Sequence, residues 1–249
     1  MIYIKSEKEI NKIEKSNIIL AESLKFIEKY IEPGVTTNIL NKEIENFILS
    51  KNARPAFKGL YGFPAAACIS LNDEVVHGIP GEKKLADGDI VGIDVGVELD
   101  GYYGDGAKTF LVGNVSPETK NLCKVTEESL YLGIEQAREG NRVGDISAAV
   151  QNHVEKHGYS IVRDLVGHGV GIEPHEDPQI PNYGVKGKGP KLKIGMVIAI
   201  EPMVNLGTYK VYIMDDQWTV KTLDGKPSAH YEHSIAILKD GPKILTMVN

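Results

Sequence analysis

The sequence predicts a mixed α/β (α+β) fold of two similar halves, each a helix pair followed by antiparallel strands. Three observations carry this expectation. Apolar residues recur with helical spacing near the start and again past position 115, whereas the stretches after each helix pair are rich in Ile, Val and Tyr with Gly and Pro punctuation. Segments 84–94 (KLADGDIVGID) and 191–201 (KLKIGMVIAIE) share Lys, Leu, Gly and Ile at an offset of 107 residues, and each ends on a carboxylate, Asp94 or Glu201. Asn38-Ile39 and Asp145-Ile146 open helices at the same offset. No linker-like tract separates the repeats, so residues 1–249 are expected to form one domain, with halves near 1–112 and 113–249 about a pseudo-twofold axis that brings the two acids together.

Each element has a local reason. Ser6 and Glu9 form a capping box, and Ile10, Ile13, Leu20, Leu24, Ile27 and Ile31 then line one face of a helix stopped by Pro33-Gly34. A second helix is expected from a cap near Asn38, with Leu40, Ile44, Phe47 and Ile48 on its buried face. Ser116-Pro117 opens a third, to Gly140, because proline at the first helical position gives up no needed hydrogen bond. Asp145 caps a fourth, which ends at Gly158. Residues 90–110 read as a hairpin about Asp100-Gly101, the dipeptide favoured in two-residue turns. In that register Gly96 faces Asp105, and Asp94 becomes its diagonal neighbour on the same side of the sheet. Trp218-Thr219-Val220 is expected to be a strand in a hairpin with a strand opened by residues 228–237, which hold His230, Glu232 and His233.

Composition excludes several classes. The 249 residues carry 28 Lys+Arg against 34 Asp+Glu, a formal charge of −6, where a general nucleic-acid binder would show a basic surplus. No apolar run approaches the ~18 residues of a membrane span, and the start turns polar too early for a signal peptide. Two cysteines without framework spacing, Cys68 and Cys123, suit a reducing cytoplasm. No heptad seam signals an obligate dimer, so a monomer is expected.

The chemistry-bearing residues cluster by type. Aspartate is a poor strand residue, so Asp94 and Asp105 on one face of an apolar hairpin need a cation or solvent, and the surrounding Ile and Val argue against solvent. His168 lies between Gly167 and Gly169, which would leave its imidazole uncrowded for a ligand; His77 precedes Gly78, and His175 follows Pro174. His153 and His157 stand at i and i+4 on a helix, but no glutamate directly follows the first or precedes the second, so they read as an exposed helix end and not a zinc-protease motif.

Taken together, His77, the Asp94…Asp105 hairpin, Gly167-His168-Gly169, Pro174-His175-Glu176, Glu201-Pro202 and Tyr231-Glu232-His233 resemble the type I methionine aminopeptidases in order and spacing, over nearly the whole chain. The resemblance implies the pita-bread fold and a cytoplasmic metallo-exopeptidase that removes N-terminal methionine when the second residue is small. It implies two divalent ions (Co, Mn or Fe(II), with Zn or Ni as alternatives), held by Asp94, Asp105, His168, Glu201 and Glu232, with Asp105 and Glu232 bridging. Glu201 would shuttle the proton, His175 would stabilise the oxyanion and His77 would contact the scissile amide nitrogen. Phe63, Cys68 and Trp218, with His77 and His175, would bind the substrate, a peptide or a nascent chain met transiently at the ribosome. Leu60 and Pro174 replace aromatic residues common in relatives, and His230 replaces a frequent Gln. Peptidases that cleave before proline on the same fold usually carry a large extra N-terminal domain, for which 249 residues leave no room. Type II relatives need a helical insertion between His175 and Glu201, where only 25 residues lie. A binding protein without catalysis would be expected to lack at least one of the five ligands.

Overall fold

In a computed structural model, which describes residues 1–247, helix α1 (Glu7–Ile27) starts on the expected capping box, with Ser6 N donating to the Glu9 carboxylate at 2.7 Å. It ends sooner than Pro33 would require, because Glu28–Tyr30 tighten into a 3₁₀ turn. Helix α2 (Thr37–Ser50) is capped by Thr36 and not Asn38: Thr36 Oγ1 accepts from Ile39 N at 3.2 Å. Helix α3 (Pro117–Glu135) follows its Ser116 cap and stops short of Gly140, where i→i+3 bonds take over at Gln136 and Ala137. Helix α4 (Val143–Lys156) begins two residues before Asp145, which instead sits in the first turn and accepts from Arg142 N at 2.7 Å.

Helices α2 and α4 both have 14 residues. The residue before each is bridged to a downstream lysine, Thr36 to Lys84 and Arg142 to Lys191. The strands that follow start at Ile90 and Val197, 107 positions apart. Ile90–Leu99 pairs with Tyr102–Leu111 along its whole length, and with Ala67–Leu71 and Arg54–Pro55 over consecutive stretches. A five-stranded antiparallel sheet holds, in order, Gly241–Ile244, His233–Leu238, Val197–Ile200, Gly167–Gly169 and Glu176–Ile180. Helices α1 and α2 bury Leu20, Ile27, Leu40, Ile44 and Ile48 against the first sheet. Helices α3 and α4 bury Leu122, Leu130, Ile146 and Val150 with Ile198, Ile200 and Ile235 of the second.

The two halves are tied at the hairpin. Ser234 Oγ donates to Asp105 O at 2.7 Å, Glu232 N donates to Ala107 O at 2.9 Å, and Thr109 Oγ1 donates to His230 O at 2.8 Å. The expected strand through 228–237 is therefore two strands. Ser228–His230 pairs with Met203–Asn205, and His233–Leu238 joins the five-stranded sheet, so Glu232 stands at the break between them. Trp218 precedes its strand, Val220–Thr222, which pairs with Val211–Ile213 and Glu74–Val76 and not with Ser228–His230; the expected hairpin does not form.

The glycines around His168 have another role than leaving its ring uncrowded. A Cβ at Gly167 would lie 2.4 Å from Ala199 O, and one at Gly169 would lie 2.4 Å from Asp177 O, so both are required for backbone to approach backbone in the sheet. Gly167→Ala should cost about 1–3 kcal/mol in a urea unfolding titration, the range for forcing atoms into a packed interior; an unchanged midpoint and slope would show that the strand moves freely.

Candidate metal centre and pocket

The hairpin forms in the register read from the sequence. Asp100 and Gly101 both adopt left-handed backbone in the turn (φ 53° and 80°), Gly96 faces Asp105 and Asp94 faces Ala107. Asp94 and Asp105 thus lie on one side of the sheet, where Glu232 meets them from the other half. Single ligand atoms of Asp94, Asp105 and Glu232 all lie within 4.8 Å of one another, as do those of His168, Glu201 and Glu232. Glu232 belongs to both groups. Asp105, His168 and His175 make a third such group. The two half-motifs place their acids differently: Asp94 lies mid-strand, whereas Glu201 follows the strand Val197–Ile200.

Imidazole orientation favours ligation by His168. Its Nδ1 lies 2.9 Å from Gly169 O, which fixes the proton there and turns Nε2 toward the acids, 3.5 Å from Glu201 Oε1 and 3.7 Å from Asp105 Oδ2. His230 Nε2 lies 3.6 Å from Glu201 Oε2. His153 and His157 are remote from this cluster; His153 Nε2 is half-buried and bonds Glu128 at 3.0 Å, and His157 alone is fully at the surface.

The protein leaves this cluster without enough internal partners. Asp94 Oδ1, Asp105 Oδ1, Glu232 Oε1 and His230 Nε2 are buried and have no hydrogen bond. Burial pushes the Asp94 carboxyl up to about 7, and burial with the neighbouring acids holds Asp105 and Glu232 well above the carboxylate range. Orphaned carboxylate oxygens around one imidazole form an oxygen-rich donor set that fits hard or borderline divalent cations. Burial also depresses His77, and burial with the nearby His168 pushes His175 down to about 4, so both rings are neutral near pH 7.

The cluster forms one wall of a cavity of about 320 Å³ whose other walls are apolar. Phe63, Cys68 and Trp218 line it as expected, the two rings edge to face at 5.1 Å. Burial and the three neighbouring acids push the Cys68 thiol upward, which keeps it neutral. Leu60 lines the cavity, but Pro174 does not: its loop presents His175 instead. His77 reaches the cavity from a left-handed backbone (φ 58°), and a Cβ at Gly78 would lie 2.3 Å from Ile69 O. Sequence reasoning missed Phe57, Tyr61, Val76, Leu165, Val166 and Met203. Only Tyr61 carried a signal: it lies between Gly59 and Gly62, adopts φ 51°, stays exposed and stacks on His175 with ring centres 6.0 Å apart.

Comparison with known proteins agrees with this geometry. The profile of metallopeptidase family M24 matches residues 11–239. The chain is 54% identical over 248 residues to a methionine aminopeptidase of Clostridium perfringens, covering all of both chains. It superposes with a TM-score of 0.98 on the crystal structure of methionine aminopeptidase from Rickettsia prowazekii, at 47% identity, over 99% of this chain and all of that one. A prolidase from Pyrococcus horikoshii aligns with 99% of this chain at 27% identity and TM-score 0.81, but only 64% of the prolidase is covered. Fold and site thus define a metallopeptidase: the chain belongs to metallopeptidase family M24, with the pita-bread fold. Its place within that family is among the type I methionine aminopeptidases.

The shifted carboxyls give the metal-free protein a distinctive pH dependence. Asp94, Asp105 and Glu232 keep protons in the folded state that the unfolded chain has lost, so they weaken folding as pH rises. His77, His175 and His233 act oppositely, but only below pH ~6.5, where the unfolded imidazole gains its proton. Above pH 6.5 the acids remain, joined in the same direction toward pH 8.5 by the raised thiols of Cys68 and Cys123. Urea unfolding in EDTA should therefore lose about 1.4 kcal/mol per pH unit for each acid still protonated between pH 6.5 and 8.5. Added Mn(II) should remove that slope; a flat metal-free profile would contradict the assigned burial.

Proposed function

We propose that this chain hydrolyses the first peptide bond of substrates that begin with methionine, preferring a small second residue. One observation carries the reading: unsatisfied carboxylate oxygens of Asp94, Asp105 and Glu232 belong to residues lining the cavity walled by Phe63, Cys68 and Trp218. Such a cavity suits an unbranched thioether side chain held beside a hydrolytic centre. Asp94, Asp105, His168, Glu201 and Glu232 would hold two divalent ions. When bound, two such ions make water nucleophilic near neutral pH and polarise the scissile carbonyl.

The chain's own groups complete the chemistry. Glu201 takes the proton of the attacking water and delivers it to the leaving amine, in reach of both because it borders the cavity and the His168 imidazole. His175 is neutral at working pH, so it stabilises the developing oxyanion as an N–H donor and not as a cation. His77, also neutral, contacts the amide nitrogen of the scissile bond. Tyr61, stacked on His175, borders the space where the second residue would leave the cavity, and its bulk supports the preference for small residues there. No helix among the described residues is long and apolar enough to cross a membrane, in keeping with a cytoplasmic enzyme acting as a monomer on nascent chains.

Metal-stripped protein should release methionine from Met-Ala-Ser once Mn, Co or Fe(II) is restored, and should release nothing from peptides with only an Xaa-Pro bond. Glu201→Ala should lower kcat by about 10²–10⁴, the range for a general acid–base group, with the fold intact by circular dichroism. Cleavage of Xaa-Pro alone would favour the prolidase reading, and no metal-dependent release from any peptide would leave a binding protein.

A further inference from the structure

Lys5 and Glu176 form a salt bridge with side chains only 1% and 0% exposed, and neither residue lines the cavity. Buried ion pairs are weak evidence of stability, since desolvation can exceed the Coulomb gain, so this one needs another explanation. The partners of Glu176 supply it. One carboxylate oxygen accepts from Lys5, and the other accepts from Ile172 N at 2.7 Å and Glu173 N at 3.0 Å. These are two backbone N–H groups of the loop that ends in His175.

The same loop has further contacts on its inner side. Gly171 O accepts from Tyr103 N at 2.8 Å, two residues from Asp105. A Cβ at Gly171 would lie 2.4 Å from Ile13 Cδ1, so the loop is pressed on α1. Glu176 pairs with Gly169, next to His168, and Lys5 N donates to Gly195 O at 2.7 Å. Lys5 thus links the segment before α1 to the turn that carries His175.

We propose that the Lys5–Glu176 pair is a positioning device for His175: the glutamate gathers the loop N–H groups, the lysine fixes the glutamate, and the imidazole is thereby aimed at the reacting carbonyl. The role of His175 in this sentence rests on the function proposed above; the clamp itself does not.

Removing one partner would strand a buried charge and disturb the fold, so single variants are uninformative. Two double variants avoid this. Lys5→Met with Glu176→Gln keeps an acceptor for Ile172 N and Glu173 N, whereas Lys5→Met with Glu176→Leu removes it. In the metal-loaded protein, amide exchange at Ile172 and Glu173 should be slow in the wild type and the Gln variant and fast in the Leu variant. Fast exchange in the wild type would overturn the clamp without reference to activity. With Met-Ala-Ser, the Leu variant should lose about 10- to 100-fold in kcat with KM within about twofold, as a misplaced catalytic group does. The Gln variant should recover to within about threefold of wild type. In a His175→Ala background, Lys5→Met with Glu176→Leu should add less than about twofold, because both changes act through one group. Equal rates for the two double variants, or an undiminished loss in the His175→Ala background, would refute positioning. Absence of methionine release from the wild type with slow exchange would instead fault the proposed function.

Discussion

Four carboxylates in one poorly solvated cavity are the constraint on which the rest of the structure depends. Unit charges about 5 Å apart repel by about 3 kcal/mol at an effective dielectric near 20, and burial adds to that cost. Protons can relieve the crowding, as the raised carboxyls of Asp94, Asp105 and Glu232 indicate; cations relieve it better. Such a cluster persists only if the surrounding fold enforces it. The continuous hairpin does so for Asp94 and Asp105, and Ser234 and the backbone of Glu232 bind that hairpin to the other half. These acids are four of the 34 in the chain, so part of its acid excess is gathered at one buried site.

Around this centre the two halves contribute unequal things. The first supplies two aspartates, His77 and the apolar residues Phe63 and Cys68. The second supplies His168, His175, Glu201 and Glu232, with Trp218 closing the cavity against Phe63. The acids, the imidazoles and the apolar side chains therefore line one cavity. Tyr61 and His77, both with left-handed backbone, border it at places where ordinary backbone geometry was not kept.

Much of this was legible in the sequence where the determinants are local. The Ser6 box, the Ser116-Pro117 start and the Asp100-Gly101 turn are set by neighbours a few residues away, and the turn alone put Asp94 and Asp105 on one face. Strands Ile90–Leu99 and Val197–Ile200 begin 107 positions apart, whereas helices α2 and α4 begin 106 apart. What was misread depends on distant partners. Val220–Thr222, the strand after Trp218, and Ser228–His230 join different sheets, and the glycines beside His168 answer to Ala199 O and Asp177 O rather than to the imidazole. His175 lines the cavity and Pro174 beside it does not, and the Lys5–Glu176 pair whose glutamate binds their loop leaves no mark in the local sequence. The lysine and the glutamate are 171 positions apart, and no local pattern joins them.

The central claim, that this cluster is built for cations and is held together by protons without them, is most directly tested by calorimetric titration of Mn(II) into metal-stripped protein in buffers of different ionisation enthalpy at pH 6.5. Two ions per chain should bind with net release of at least one proton, and the release should shrink in Asp105→Asn and Glu232→Gln. Binding without proton release, or release unaffected by those substitutions, would contradict the account.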